Sequence, residues 1–229
     1  MTSHPAPTTS AAARLVRLAL AAGAIVAPTV LTGGAAHALP LGDAGAFYCE
    51  GLPATIVGTG GNDSIAGTSG NDVIVALGGN DIVRAGRGHD TICLGPGNDT
   101  AYAGSGDDVV RGGTGSDNLQ GQSGIDLLMG DADGDLLDGE TGGDYLYGGD
   151  GSDWLLGREG WDNFHGGNGK DTIDAATDDD DVSEDVNGGN DDDLIFADDG
   201  GLAPDTVRGD AGSDTCLADG VDLVLTCEA

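Results

Sequence analysis

The chain has 229 residues, with 40 acidic residues against 8 Lys and Arg, 44 glycines, and aromatic residues at only 4%. A net charge of −32 repels nucleic acid and anionic membrane surfaces and leaves a cationic partner, most simply a metal ion. So little bulky apolar material excludes an ordinary globular core, and none of the four cysteines forms the CxxC pair of a thiolate zinc or thioredoxin-like site.

Residues 1–38 read as a secretory signal peptide. Arg14 and Arg17 supply a positive start, Leu18–Leu31 is an apolar run rich in small residues, and Ala36-His37-Ala38 is an A-x-A cleavage site. The apolar run is short for a membrane span and is interrupted by Pro28, so cleavage after Ala38 is expected rather than anchoring. No other stretch approaches spanning length. The mature chain then carries six basic residues against 40 acidic, a net charge of −34, and is expected outside the cell. Residues 39–57 are expected to form an N-terminal cap, with Phe47, Tyr48, Leu52, Ile56 and Val57 covering the first layer of the fold.

From Gly58 to Asp174 an aspartate recurs every nine residues: Asp63, Asp72, Asp81, Asp90, Asp99, Asp108, Asp117, Asp126, Asp135, Asp144, Asp153, Asp162 and Asp171. A glycine stands two places before each, except at Asp133, and an apolar residue two places after, from Ile65 to Ile173. Each unit reads roughly G-G-x-G-x-D-x-U-x, with U apolar. Positions one to six form a glycine-rich turn and positions seven to nine a very short strand, as in Val73-Ile74-Val75 or Leu127-Leu128-Met129. Strand alternation points the central residue inward and its two neighbours outward.

Thirteen units in one frame resemble the RTX, or haemolysin-type, calcium-binding nonapeptide repeat family. The resemblance covers about half the chain. It implies an all-β fold, a right-handed parallel β-roll (a β-solenoid) with two nine-residue repeats per coil. Coils stacked at about 4.8 Å would make a rod on the order of 30 Å long from the thirteen repeats.

The charges require a counterion. Repeat aspartates stacked about 5 Å apart repel by roughly 1 kcal/mol in water and about 3 kcal/mol at an effective dielectric of 20. The available donors are hard oxygens, Asp carboxylates and backbone carbonyls of the turns. That set suits Ca²⁺, with six to eight oxygens in flexible geometry, better than Mg²⁺ or zinc. The thirteen aspartates are therefore the candidate metal ligands. If each site joins one turn to the turn two repeats on, the run holds about eleven ions. Asp133 replaces a turn glycine, and Gly134 is the candidate to take up its strained dihedral.

Past Asp174 the frame loosens. Residues 175–187 contain Asp178-Asp179-Asp180-Asp181 and read as an acidic spacer or a decayed repeat, since Asp180 and Val182 keep the phase. Further degenerate repeats occupy 188–217, where Asp193, Asp205 and Asp214 are weaker candidate ligands without clear flanking partners. Residues 218–229 are expected to be a C-terminal cap. Export favours a Cys49–Cys93 disulfide over free thiols, and Cys216 and Cys227 are close enough for a local bridge.

The expected function is a secreted, non-catalytic calcium-binding β-roll that folds as several Ca²⁺ ions bind between stacked turns. A hydrolase of the RTX type would need a separate catalytic domain, whereas the expected cap before the repeats, residues 39–57, has only about twenty residues and both HExxH and GxSxG are absent. A calcium-stiffened surface or adhesive module is the alternative. Its unknown surface or matrix partner would meet a stripe of outward Tyr102, Tyr145, Tyr147, Trp154 and Trp161.

Overall fold

A computed structural model describes residues 47–176, 183–198, 203–218, 220 and 222–227. The signal-peptide reading of residues 1–38, the first residues of the expected cap, Asp178–Asp181 and Val182 lie outside them. The described elements are all strands. Among the described residues no helix is long and apolar enough to cross a membrane.

Local chemistry starts the chain with a hairpin. Strand β1 (Tyr48–Cys49) pairs antiparallel with β2 (Leu52–Pro53). The two linking residues, Glu50 and Gly51, both have positive φ, as a two-residue hairpin loop demands. From β3 (Ile56–Val57) onward the chain alternates between two sheets, and every further pairing is parallel. One sheet has nine strands, beginning with β4 (Ser64–Ala66), and the other has ten, beginning with β3. Successive strands therefore lie on opposite walls, and each pairs with the strand two repeats away.

The coil length is set by register. Leu119 lies beside Ala101 and Leu137, and Leu128 beside Val110 and Leu146, each eighteen residues apart. One coil is thus two nonapeptides. The apolar residue of every repeat turns inward and meets its equivalent on the next coil. Ile65, Val83, Ala101, Leu119, Leu137, Leu155 and Ile173 line one wall; Ile56, Ile74, Ile92, Val110, Leu128, Leu146 and Phe164 line the other. All are buried, giving a thin continuous core made of one apolar residue per repeat, aliphatic except at Phe164. Ala76, Ala85, Leu94 and Ala103, which replace the first turn glycine in early repeats, are fully buried and widen that core.

The strands are longer than three residues. Those from β6 (Ile82–Arg87) to β15 (Asn163–Asn168) have six each. In-register stacking sets each glycine turn against the same turn one coil on. Its backbone therefore joins the ladder, with Gln122 beside Glu140 and the Gly124 N–H on the Thr141 carbonyl. Position two of these turns is left-handed even where it is not glycine, at Leu77, Gln122, Asp131, Glu140 and Arg158. Asp133 itself adopts φ +74°, so the expected transfer of strain to Gly134 does not occur.

The solenoid extends at both ends beyond the uninterrupted repeats. Ile56 already stacks on Ile74, so the first layer precedes Gly58. Phe47 and Tyr48, expected to cover that layer, are 38% and 61% exposed; Cys49 is buried and bonded to Cys93 in β7 (Thr91–Pro96), and Glu50 pairs with Arg111, so the hairpin lies along the ten-stranded sheet. At the other end β17 (Asp185–Asn190) rejoins the sheet with Phe164 beside Val186, a coil of 22 residues. The spacer adds four residues to one coil, and the ladder resumes. Asp185 then pairs with Thr206, 21 residues on, and Thr206 with Leu223, 17 on. The Cys216–Cys227 disulfide closes this end. Nine to ten layers at the usual strand spacing make a rod roughly 45 Å long.

Candidate metal centre: two columns of buried carboxylates

Because each Asp immediately precedes a strand, parallel stacking sets the aspartates in two columns. Asp63, Asp81, Asp99, Asp117, Asp135, Asp153 and Asp171 run along one edge, and Asp72, Asp90, Asp108, Asp126, Asp144 and Asp162 along the other. Each is tied to the next by its own backbone. The Asp63 N–H donates to Asp81 Oδ1 at 2.7 Å, Asp108 N–H to Asp126 Oδ1 at 2.8 Å, and Asp144 N–H to Asp162 Oδ1 at 2.8 Å. The Asp carbonyl accepts from the residue that succeeds the next Asp in its column, as Ile82 N–H does for Asp63. All thirteen carboxyl groups are buried.

From Asp81 onward only one oxygen of each carboxylate is used this way. Oδ2 of Asp81, Asp90, Asp99, Asp108, Asp117, Asp126, Asp135, Asp144, Asp153 and Asp171 is buried without a hydrogen-bond partner. Burial is the main reason these groups resist ionisation. The backbone N–H opposes it, and nearby carboxylates add to it. Asp126 is pushed up to about 8, Asp90, Asp108, Asp117 and Asp135 to about 7, and Asp99, Asp144, Asp153 and Asp171 to about 6. Ten buried carboxyl oxygens without a hydrogen-bond partner, set in two files, are a donor set that a positive partner would satisfy.

The turns explain where that partner fits. A Cβ added to Gly112 would collide with Asp117 Oδ2 and close on the Gly130 carbonyl of the next coil. The same pair of oxygens crowds Gly121, Gly130, Gly139, Gly148 and Gly166. A Cβ at the first turn position would thus meet a carboxylate oxygen of its own turn and a carbonyl oxygen of the next coil, which favours glycine at Gly112, Gly121, Gly130, Gly139, Gly148 and Gly166, whereas the early turns accommodate Ala76, Ala85, Leu94 and Ala103 there. Among the described residues no three His, Cys, Asp or Glu side chains gather as a metal cluster. A cation here must draw on backbone carbonyls as well as carboxylates, the all-oxygen donor set that suits calcium.

The weaker candidates join the same columns. Asp171 N–H donates to Asp193 Oδ1 and Asp193 N–H to Asp214 Oδ1, at 2.9 and 3.0 Å. Asp193 is thus flanked on both sides; burial again pushes it up, to about 7, and both Asp193 and Asp214 leave Oδ2 without a partner. Asp205 belongs to the second column, accepting from Glu184 N–H at 3.0 Å and donating to Asp222 Oδ1 at 3.2 Å. Glu184 and Asp222 are members that the nine-residue frame does not reveal. The spacer shifts the frame, so Glu184 and Val186 hold the places that phase alone assigns to Asp180 and Val182.

Asp63 and Asp72 differ from the rest. Their Oδ2 atoms accept from the N–H and hydroxyl of Thr59 and Thr68. The expected aromatic stripe is not continuous. Tyr102 and Trp154 lie on the nine-stranded sheet, whereas Tyr145 and Tyr147 lie on the ten-stranded one; Trp161 meets Tyr145 edge-on at 5.9 Å.

A family model described as the RTX calcium-binding nonapeptide repeat, in four copies, matches residues 57–92, 95–128, 111–146, 129–160 and 156–183, over half the chain. No curated protein matches it.

Proposed function

Because the chain belongs to the RTX calcium-binding nonapeptide repeat family, we propose that it is a secreted, non-catalytic β-roll whose folding is driven by calcium binding between stacked turns. The observation that carries this reading is the double file of buried carboxylates with one oxygen satisfied and the other without a partner. Asp81 through Asp171 supply one carboxylate oxygen per turn, and the turn backbone supplies carbonyls. Bound calcium would contribute the positive charge that these groups lack. With the carboxylates neutralised, Oδ1 holds the backbone of the preceding coil and the aliphatic core is clamped between two mineralised edges.

Secretion is supported by the signal-peptide pattern of residues 1–38 and by two disulfides, which persist in oxidising surroundings. The absence of HExxH and GxSxG supports a non-catalytic role. Extracellular calcium modules commonly bind with dissociation constants of about 10⁻⁴–10⁻³ M, so the chain is expected to fold on reaching calcium outside the cell. Far-ultraviolet circular dichroism of the mature chain tests this. The expected result is a largely unfolded spectrum in chelator and a β-rich one in millimolar calcium. Identical spectra in both would overturn it.

A further inference from the structure

We infer that Thr59 and Thr68 seal the two cation columns at their N-terminal ends, making the first coil an ion-free seed on which the calcium-dependent coils assemble. This rests on the calcium reading above. In the turn 58–63 the Asp63 Oδ2 accepts from Thr59 N–H at 2.6 Å and from the Thr59 hydroxyl at 2.9 Å. The turn 67–72 repeats the arrangement, with Thr68 N–H and hydroxyl at 2.6 and 2.9 Å from Asp72 Oδ2. Each hydroxyl in turn accepts from the glycine two residues on, Gly61 or Gly70. The oxygen that stands without a partner at Asp81, Asp90, Asp99 and Asp108 therefore has two donors in the first coil.

The backbone gives a second, independent sign. Position two is left-handed at Leu77, Gly86, Gly95, Gly104, Gly113 and later turns, and position four is left-handed from Gly79 to Gly169. Neither Thr59 nor Thr68 adopts that conformation, and neither does Gly61 or Gly70. A β-branched residue strongly disfavours positive φ. Threonine thus withholds the turn geometry common to the later turns while supplying the hydrogen-bond donors that a cation would otherwise replace. The Cys49–Cys93 bridge and buried Ile56 and Val57 hold the same end of the rod by means that do not involve metal.

Native mass spectrometry in calcium, with hydrogen exchange in chelator, tests the seal. Replacing both residues by glycine (T59G/T68G) restores the Gly-Gly turn and removes the hydroxyls, so two further ions are expected relative to the native chain. T59S/T68S keeps the donors and the native ion number. In chelator the native chain is expected to protect the Thr59 and Thr68 amides while the turns from residue 94 onward exchange freely. An unchanged or lower ion number in T59G/T68G, or Thr59 and Thr68 amides exchanging as fast as the later turns, overturns the inference. A native chain that binds no calcium at all would instead overturn the calcium reading itself.

Discussion

Replacing Asp126 by asparagine should move the protein in opposite directions with and without calcium. Asp126 is fully buried, between Asp108 and Asp144 in its column, and burial first, then repulsion from Asp108 and Asp144, pushes it up to about 8. At pH 7 the metal-free fold must therefore hold it protonated, whereas the unfolded chain ionises it near 3.8. That difference costs the metal-free fold about 4 kcal/mol, at roughly 1.4 kcal/mol per pH unit between 3.8 and 7. Asparagine keeps an acceptor for the Asp108 N–H and removes the ionisation. The metal-free variant should accordingly be more stable at pH 7 by as much as a few kcal/mol. In calcium the same substitution deletes a charged ligand from the middle of a column, so the calcium midpoint of folding should rise and the bound-ion number should fall. Urea unfolding monitored by circular dichroism, run in chelator and in saturating calcium, measures both arms. Equal destabilisation under the two conditions would refute the reasoning, because it would make Asp126 a packing residue and not a ligand.

The same geometry sets other outcomes. Since the column carboxyls titrate at about 6 to 8 in the metal-free fold against 3.8 unfolded, their favourable contribution is fully present below about pH 3.8 and is lost as pH rises through 6 to 8. Metal-free β structure should therefore appear at acid pH and disappear toward pH 8. Calcium binding near pH 7 should release protons, visible as a buffer-dependent enthalpy in titration calorimetry. Leu128→Ala removes a fully buried aliphatic between Val110 and Leu146 and should destabilise the calcium-loaded rod by about 2–5 kcal/mol in urea melts. Breaking Cys49–Cys93 with C49S/C93S should cost about 4 kcal/mol, against about 3 kcal/mol for C216S/C227S, because the first bridge spans 44 residues and the second 11. Thermal melts in calcium would compare the two.

Much of this protein is legible in its sequence because a solenoid repeats one local solution. A nine-residue frame with Asp at one place and an aliphatic at another already specifies which side chains share a wall and which share an edge. Asp63 to Asp171 and Ile65 to Ile173 accordingly stand in the columns expected of them. Both cysteine pairings are those that export and proximity along the chain favour. What only the tertiary structure decides is how the frame survives interruption. Register past residue 174 is set by the parallel ladder, which needs matching backbone rows and not a constant number of residues. Four extra residues can therefore be accommodated in one coil while Glu184 and Val186 take up the column positions. The same holds at Asp222, reached after a short coil of 17. The roles of Thr59 and Thr68 are three-dimensional for a similar reason. Nothing in the repeat frame sets Thr59 and Thr68 apart until their hydroxyls are seen on the same carboxylate oxygen that stands without a hydrogen-bond partner at Asp81 and Asp90.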